Sequence, residues 1–270
     1  MDSANVHLTV FGQTRDLTFP VRVDSCTAES LLAPARTLSA AISAAALADA
    51  AERGERPSCA AGCAACCRHL IPVSSVEAVA LAAVVAALPG PRRDSIRARF
   101  AAAVQAMEAA RLLDPGDARG RSALQSSALP GRAAWEDVSR RYFAARIDCP
   151  FLDQGRCGIY DDRPLVCREY YVTTPPALCD ALDPAVRSVP RPIRMSEALA
   201  DAAAEAIGVS AASVPLPLAL EWAEEHAAEL DAERPGEELF WSLVRQLDEE
   251  SQTPFELRGA AADEAPRRPG

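Results

Sequence analysis

The chain has 270 residues, enough for one large domain or two small ones whose core needs no disulfides. Hydrophobic residues make up 49% and charged residues 24%, which is typical of a globular protein, and abundant alanine favours helices. All 28 basic residues are arginine and 38 residues are acidic, so the formal charge of -10 argues against general binding to nucleic acid phosphates.

The start of the chain, residues 1–11, lacks the basic end and long apolar run of a secretory signal. No stretch reaches about 18 uninterrupted apolar residues, so we expect a cytoplasmic protein with no membrane partner. The nine cysteines are too few for a disulfide scaffold, and their number is odd. In a reducing compartment, clustered cysteines indicate metal binding or catalysis.

The first predicted element is a small β-hairpin. Two short runs that contain Val, Thr and Phe, residues 7–11 and 17–23, flank a polar segment, 12–16, which is the expected loop. After it, apolar residues at helical spacing from Leu31 to Ala45 predict a helix of about five turns that runs out at Gly54 and Pro57.

The central part of the chain combines helices with turn-rich segments. Ser74 and Glu77 have capping-box spacing ahead of an apolar run, and the helix that they predict stops at residues 89–91, Pro-Gly-Pro. The next predicted elements are a helix over 94–113, a loop or lid over 114–130, and a helix over 135–145.

Toward the C-terminus, prolines between 184 and 192 predict an extended strap. Ser196 is expected to cap a helix that ends near Gly208. Two more helices are predicted, one over 219–230 and one after residue 236, and the polar residues beyond about 250 are predicted to be disordered.

The predicted fold class is mainly α, with an irregular cysteine-rich metal-binding core wrapped by helices and a small N-terminal β-hairpin. The expected organisation has four parts: a hairpin and helix (1–54), a cysteine-cluster metal-binding domain (55–195), C-terminal helices (196–250) and a disordered tail (251–270).

The first cysteine cluster has the spacing C-x3-C-x2-C-C, formed by Cys59, Cys63, Cys66 and Cys67. On a helix the first three would share one face, and a loop of this length would also bring them together, because only Ala and Gly lie between them. Neighbouring cysteines cannot easily chelate one ion together, so Cys66 or Cys67 is expected to ligate a second ion or to bridge.

The second cluster is spread over Cys149, Cys157, Cys167 and Cys179. Turn residues 153–155 predict a tiny hairpin with Cys149 and Cys157 at its paired ends. Asp161 or Asp162 followed by Arg163-Pro164 predicts the cap of a short helix that carries Cys167. Because each cluster is sparse, we expect the two to meet in space.

Several motifs, in this order along residues 55–180, resemble the CxxCxxCC family of zinc- or iron-chelating proteins, also called the YkgJ cysteine-cluster family. They are the segment 62–68 (Gly-Cys-Ala-Ala-Cys-Cys-Arg), Pro72-Val73-Ser74 with Glu77, residues 149–152 (Cys-Pro-Phe-Leu), residues 157–160 (Cys-Gly-Ile-Tyr), and residues 163–170 (Arg-Pro-Leu-Val-Cys-Arg-Glu-Tyr). The resemblance implies a metal ion or an iron–sulphur centre held by the cysteines. The ligand candidates are Cys59, Cys63, Cys66, Cys67, Cys149, Cys157, Cys167 and Cys179.

The metal itself stays open between iron, as an iron–sulphur cluster, and zinc. Uncompensated buried charge is costly, so a cation must offset most of the charge of eight thiolates. Two zinc ions with four thiolates each leave more negative charge than one iron–sulphur cube with four. Four arginines beside the cysteines could neutralise the remainder: Arg68, Arg156, Arg163 and Arg168.

Other chemistry-bearing residues have plainer interpretations. The lone Cys26 is typical of a small buried hydrophobe, and His69 of a structural hydrogen bond rather than a ligand. Glu169 could act as an acid or base or pair with an arginine, and Tyr160 and Tyr170 could line a pocket or pack around the centre.

Three functional hypotheses follow. The first is a metal-binding protein that holds iron or zinc through both clusters. The second is a metal- or iron–sulphur-dependent enzyme that modifies a protein or small molecule, although the sequence has no nucleophile elbow, phosphate loop, dinucleotide fingerprint or HExxH motif. The third is a zinc-structured module that docks a protein partner. The metal ion or cluster is the one partner that the sequence itself indicates.

Overall fold

Nine α-helices supply most of the regular structure in the part of the chain that the computed structural model describes, residues 2–113, 132–208, 213–250 and 256–259. They are α1 (Leu32–Glu52), α2 (Ser75–Ala86), α3 (Gly90–Ala109), α4 (Arg132–Ala144), α5 (Leu165–Glu169), α6 (Pro176–Asp180), α7 (Met195–Ile207), α8 (Ala219–His226) and α9 (Gly236–Glu250). The predicted mainly α fold with a small N-terminal hairpin is confirmed. The loop or lid predicted over 114–130 lies outside the described residues.

The N-terminal hairpin pairs β1 (Asp2–Val10) with β2 (Gln13–Val21) in antiparallel register. Phe11 and Gly12 form its turn with φ angles of 52° and 73°. Two residues with positive φ match the right-handed twist of a hairpin. The predicted loop over 12–16 is therefore too long: Gly12 lies in the turn, but residues 13–16 belong to β2, and most of them are exposed to solvent.

A third strand, β9 (Glu256–Gly259), pairs antiparallel with β1 and completes a sheet in the order β2-β1-β9. The sequence predicted disorder for this stretch. The structure differs because the backbone of these four residues pairs with β1. The rest of the predicted tail lies outside the described residues. Side chains along β1 point alternately to the core and to solvent, and those on the core side, Ala4, Val6, Leu8 and Val10, are buried.

One large hydrophobic core joins the hairpin to the helices, and α7 packs against α9 within it. Alanines dominate the buried face of α7, and α7 ends at Ile207, next to the predicted end near Gly208. Gly208 has a φ of 71° and forms a left-handed C-cap. Its N-cap is Arg194 rather than Ser196, so that predicted cap is wrong.

Helix α3 begins four residues earlier than predicted, at Gly90. The residues 89–91 end α2, as expected, but they also start α3, because proline in the first turn lacks only an N–H that would have no helical partner. The stretch Ala28–Glu52 has the length and hydropathy of a membrane span, a test that buried core helices also pass. In this fold its side chains at Leu38 and Ile42 lie in the core.

Within the described residues there are three two-stranded ladders, of which two join distant parts of the chain and the third is a local hairpin. In the first, β3 (Ser25–Cys26) pairs with β8 (Arg234–Pro235); in the second, β4 (Pro72–Ser74) pairs with β7 (Ser213–Pro215); in the third, β5 (Leu152–Asp153) pairs with β6 (Arg156–Cys157). The second ladder places the start of α2 beside the C-terminal helices, and the third belongs to the cysteine-rich region.

Candidate metal centre

The first cysteine cluster lies in a series of turns between α1 and β4, not on a helix. Hydrogen bonds from Cys63 N–H to Ala60 O (3.0 Å) and from Cys67 N–H to Ala64 O (2.9 Å) close successive turns. Gly62 has a φ of 91°, which interrupts any continuous helix. Of the two arrangements that the spacing allowed, the loop is the one found.

The first cysteine is anchored to a segment beyond α5. Ser58 N–H donates to Val172 O at 2.8 Å, and Ser58 Oγ donates to Thr174 O at 2.5 Å. In return, Val172 N–H donates to Cys59 Sγ at 3.4 Å. Residues more than a hundred positions apart are thus joined beside a cysteine.

Cys157 lies in the β5–β6 hairpin, whose turn residues Gln154 and Gly155 have φ angles of 47° and 76°. Its partner in the register is Leu152, so the predicted pairing of Cys149 with Cys157 is wrong. Cys149 lies just before the hairpin, and its N–H donates to Cys67 O at 2.7 Å. This bond connects the two clusters directly.

Helix α3 holds this hairpin in place through two arginines that sequence analysis did not single out. Arg99 Nη1 donates to Leu152 O at 2.6 Å, and Arg92 Nη2 donates to Gly158 O at 2.6 Å. The rings of Phe100 and Phe151 pack edge to face with centroids 5.2 Å apart. The hairpin therefore rests on α3 through both apolar and polar contacts.

Cys167 lies on the short helix α5, as predicted, but neither predicted aspartate caps that helix. Asp161 and Asp162 belong to a preceding 3-10 turn. The first helical N–H, that of Leu165, donates to Glu77 Oε1 at 2.7 Å. Glu77 Oε2 also accepts from Ser74 N–H at 3.0 Å, in the capping box of α2 that the sequence predicted.

Cys179 lies on α6 and is buried, with 3% of its surface exposed. His69 Nε2 donates to the Cys179 carbonyl oxygen at 2.9 Å, so His69 makes the structural hydrogen bond that was the plainer expectation. Arg68 forms ion pairs with Asp148 and Asp180 at 2.7 Å and 2.6 Å. These contacts bring the last cysteine to the first cluster.

The charge of Cys66 acts on cysteines of both clusters. Its negative charge contributes to raising the pKa of six others: Cys59, Cys67, Cys149, Cys157, Cys167 and Cys179. For five of these six burial is the larger cause, and it raises the pKa of Cys149 to about 12. For Cys67 the larger cause is its hydrogen bond to Cys66, which lowers the pKa of Cys66 in turn. The structure thus brings cysteines of both clusters within electrostatic reach of one sulphur.

Of the four arginines expected to offset thiolate charge, Arg163 acts on the sulphurs. Its positive charge opposes the larger effect of burial on the pKa values of Cys59, Cys157 and Cys167, and it adds to the hydrogen bond that lowers the pKa of Cys66. The guanidinium lies 3.8 Å from the ring centroid of Tyr160. Arg168 instead donates to the backbone oxygens of Arg163 and Asp161, and Arg156 is exposed.

Glu169 lines a small cavity beside α1. Its carboxylate accepts from Ser39 Oγ and Ser196 Oγ, each at 3.3 Å, and burial raises its pKa to about 8. The cavity is lined by Tyr171 and Arg191, and neither Tyr160 nor Tyr170, the two tyrosines that could have lined a pocket, belongs to its lining.

The donor chemistry suits a soft cation. All nine cysteines lie in the described residues, and none of them forms a disulfide. Thiolate sulphur is a preferred ligand of zinc and of iron–sulphur clusters. Within the described residues, however, no three His, Cys, Asp or Glu side chains form a ready-made metal site.

Comparison with known proteins supports this chemistry. Residues 58–180 match the model of the CxxCxxCC family, which is described as "Putative zinc- or iron-chelating domain". No curated protein and no solved structure matches the chain. The matched segment begins one residue before Cys59 and ends one residue after Cys179, so it includes all eight ligand candidates.

Proposed function

We propose that this is a metal-binding protein whose two cysteine clusters jointly hold iron or zinc, because residues 58–180 match the model of the CxxCxxCC family. The observation that carries the proposal is the convergence of cysteines from both clusters around Cys66. The direct bond from Cys149 N–H to Cys67 O ties the same segments together.

The physical argument is one of charge. Burial, and to a smaller extent the negative charge of neighbouring thiolates, raises the pKa of Cys149 and Cys167, so these thiols resist ionisation. A bound cation favours the ionised form of every cysteine that it contacts and so removes the repulsion among them. The protein's own part is to gather the sulphurs, to bury them and to place Arg163 beside them.

Iron in an iron–sulphur cluster is our preferred occupant, with zinc as the alternative. Among the described residues, Arg163 is the arginine whose charge reaches several of the thiols. One positive charge suits the less negative centre, which is the single iron–sulphur cube. A bound cluster would supply electron transfer, and zinc would supply a structural cross-link. A reducing compartment, the cytoplasm, suits either centre because it keeps the thiols reduced.

The test is elemental analysis and a visible spectrum of protein purified without oxygen. We expect stoichiometric metal, with brown colour if the centre is iron–sulphur and a colourless zinc-loaded sample otherwise. Cys66→Ser and Cys167→Ser should lose the metal. They should also lose much of the stability that ligation adds, which for structural zinc is on the order of 10 kcal/mol.

Cys26→Ser is the matched control. Cys26 is buried, its thiol donates to Ser30 Oγ at 3.3 Å, and it lies outside both clusters. This variant should keep wild-type metal content. The proposal fails if the wild-type protein holds no metal, or if Cys66→Ser and Cys167→Ser leave both metal content and thermal stability unchanged.

A further inference from the structure

Arg68 joins three of the segments that carry predicted metal ligands. It directly follows Cys67 in the chain. Its Nε donates to Asp148 Oδ1 at 2.7 Å, and its Nη1 donates to Asp180 Oδ1 at 2.6 Å. Asp148 precedes Cys149, and Asp180 follows Cys179. One planar guanidinium therefore spans two carboxylates, each adjacent to a different cysteine.

The next residue adds a second bond to one of these segments. His69 Nε2 donates to the Cys179 carbonyl oxygen at 2.9 Å, and its ring packs edge to face on Phe143 with centroids 5.7 Å apart. The Cys179 segment is thus held by Arg68 on one side and by His69 on the other.

The three segments differ in what else holds them. Cys149 and Cys157 pack against the main hydrophobic core, to which Phe151 also belongs. Cys179 is buried but belongs to neither hydrophobic cluster. Its helix α6 has five residues, too few to be stable on its own. The polar contacts from Arg68 and His69 consequently matter far more for Cys179 than for Cys149.

We propose that Arg68 is a positioning residue for the metal centre, which holds Cys179 where it can share a centre with the first cluster. This inference rests on the proposed function. Arg68 does not ligate; it acts through Asp180 on a cysteine that apolar packing leaves loosely held. Residues that orient metal ligands typically change metal affinity by about 10–100-fold when they are replaced.

The same contacts contribute little to global stability. The side chains of Arg68, Asp148 and Asp180 are 33%, 54% and 47% exposed, and exposed ion pairs add little to the free energy of unfolding. The two roles can therefore be distinguished. If Arg68 is a positioning residue, replacing it lowers metal affinity but leaves the stability of the metal-free protein nearly unchanged; if its role is only structural, metal affinity and stability fall together.

The test compares Arg68→Gln with Arg245→Gln in the full chain. Arg245 forms a similar exposed ion pair with Glu205, at 3.1 Å between α9 and α7, away from the cysteines. Zinc affinity is measured by competition with a chromophoric chelator, and stability by urea unfolding of chelator-treated protein. We expect Arg68→Gln to weaken zinc binding roughly 10–100-fold. Arg245→Gln should bind zinc like the wild type, and both variants should unfold close to the wild-type midpoint.

Two further variants test the two ion pairs of Arg68 separately. Asp180→Ala removes the ion pair with α6, and Asp148→Ala removes the ion pair with the segment that leads into the core-packed hairpin. Asp180→Ala should reproduce most of the loss in zinc affinity, and Asp148→Ala much less. These variants also keep the inference testable if Arg68→Gln fails to fold.

A double-variant cycle asks whether Arg68 acts through Cys179. In a Cys179→Ser background, Arg68→Gln should cause no further loss of zinc affinity. Cobalt-loaded Arg68→Gln should show the weaker sulphur-to-metal charge-transfer band of a centre with one thiolate fewer. Wild-type affinity in Arg68→Gln, multiplicative losses in the double variant, or a greater loss in Asp148→Ala than in Asp180→Ala would overturn the inference. A wild-type protein that binds no zinc or iron would instead overturn the proposed function on which it rests.

Discussion

At the scale of single residues, the pair Cys66 and Cys67 is the most unusual feature. Adjacent cysteines rarely point at one ion, and here they hydrogen bond to each other instead. The bond stabilises the thiolate of Cys66 and the thiol of Cys67. The pKa of Cys66 is therefore lowered while those of several cysteines near it are raised, so Cys66 is expected to ionise first.

This difference predicts an order of alkylation. In chelator-treated, reduced protein near pH 7, iodoacetamide should modify Cys66 faster than Cys149, because only thiolates react. The pKa of Cys66 is lowered by its hydrogen bond with Cys67, whereas burial raises the pKa of Cys149 to about 12. Peptide mass spectrometry measures the order. Cys67→Ala removes the hydrogen bond and should slow the reaction of Cys66, and an earlier reaction of Cys149 would contradict the assignment.

At the scale of elements, Glu77 determines where two helices begin. Its carboxylate completes the capping box of α2 and also receives the first N–H of α5, the helix that carries Cys167. Helix α5 therefore needs no N-cap from its own segment. This explains why Asp161 and Asp162, which were predicted to cap it, lie in the preceding 3-10 turn. A buried acid on one helix thus positions a cysteine on another.

Glu77→Ala should destabilise the protein, because the buried N–H groups of Ser74 and Leu165 each lose a partner at a cost of about 1–3 kcal/mol. Glu77→Gln should cost less, since its amide oxygen can still accept one of these bonds. Urea unfolding of chelator-treated protein measures both. Glu197→Gln, which alters an exposed first-turn acid of α7, is the control and should change little.

The difference in stability between the wild type and Glu77→Gln should change with pH in one direction. Burial raises the pKa of Glu77 above its ordinary value of 4.5, so the folded state keeps a proton that the unfolded chain releases. The stability that this proton provides is present below about pH 4.5 and is lost as the pH rises through the higher folded-state pKa. Glutamine stays neutral, so the advantage of the wild type over Glu77→Gln should shrink from pH 4.5 toward neutrality. An advantage that grows with pH would contradict the protonated carboxyl.

At the scale of the whole molecule, the cysteine domain depends on chain outside it. The strand β4, which leads into α2, pairs with β7 from beyond residue 195, and Val73 lies opposite Val214. Both valines are buried in the one large core that also contains α7 and α9. The family-matched segment, 58–180, therefore lacks much of its own apolar cover.

We expect a fragment of residues 55–195 to fail to fold cooperatively, even with zinc, because α2 and β4 would lose the apolar cover of α7 and α8. Near-ultraviolet circular dichroism and binding of a hydrophobic dye to the fragment, compared with the full chain, measure this. The predicted boundary at residue 195 would gain support from a fragment that folds cooperatively on zinc addition, and our expectation would then be wrong.

Local patterns predicted much of the helical framework. The apolar spacing of α1, the capping box of α2 and the glycine that ends α7 are properties of neighbouring residues, and all three are found. The N-terminal turn was misplaced because residues 13–16 are polar on an exposed strand, and polarity alone does not distinguish such a strand from a loop. Ser196 did not cap α7, because its hydroxyl binds Glu169 from another part of the chain.

For the metal centre, the sequence by itself determined which thiols are available, because cysteine spacing and chemistry are visible without a fold. It also determined the hairpin turn near Cys157 and the helix of Cys167, which depend on adjacent residues. Only the tertiary structure decided how these segments contact each other. The contacts are the hydrogen bond from Cys149 to Cys67, the cap that Glu77 provides for α5, and the ion pairs of Arg68. The physical reason is that each of these contacts joins groups about 80 or more residues apart, and their geometry depends on how the whole core packs.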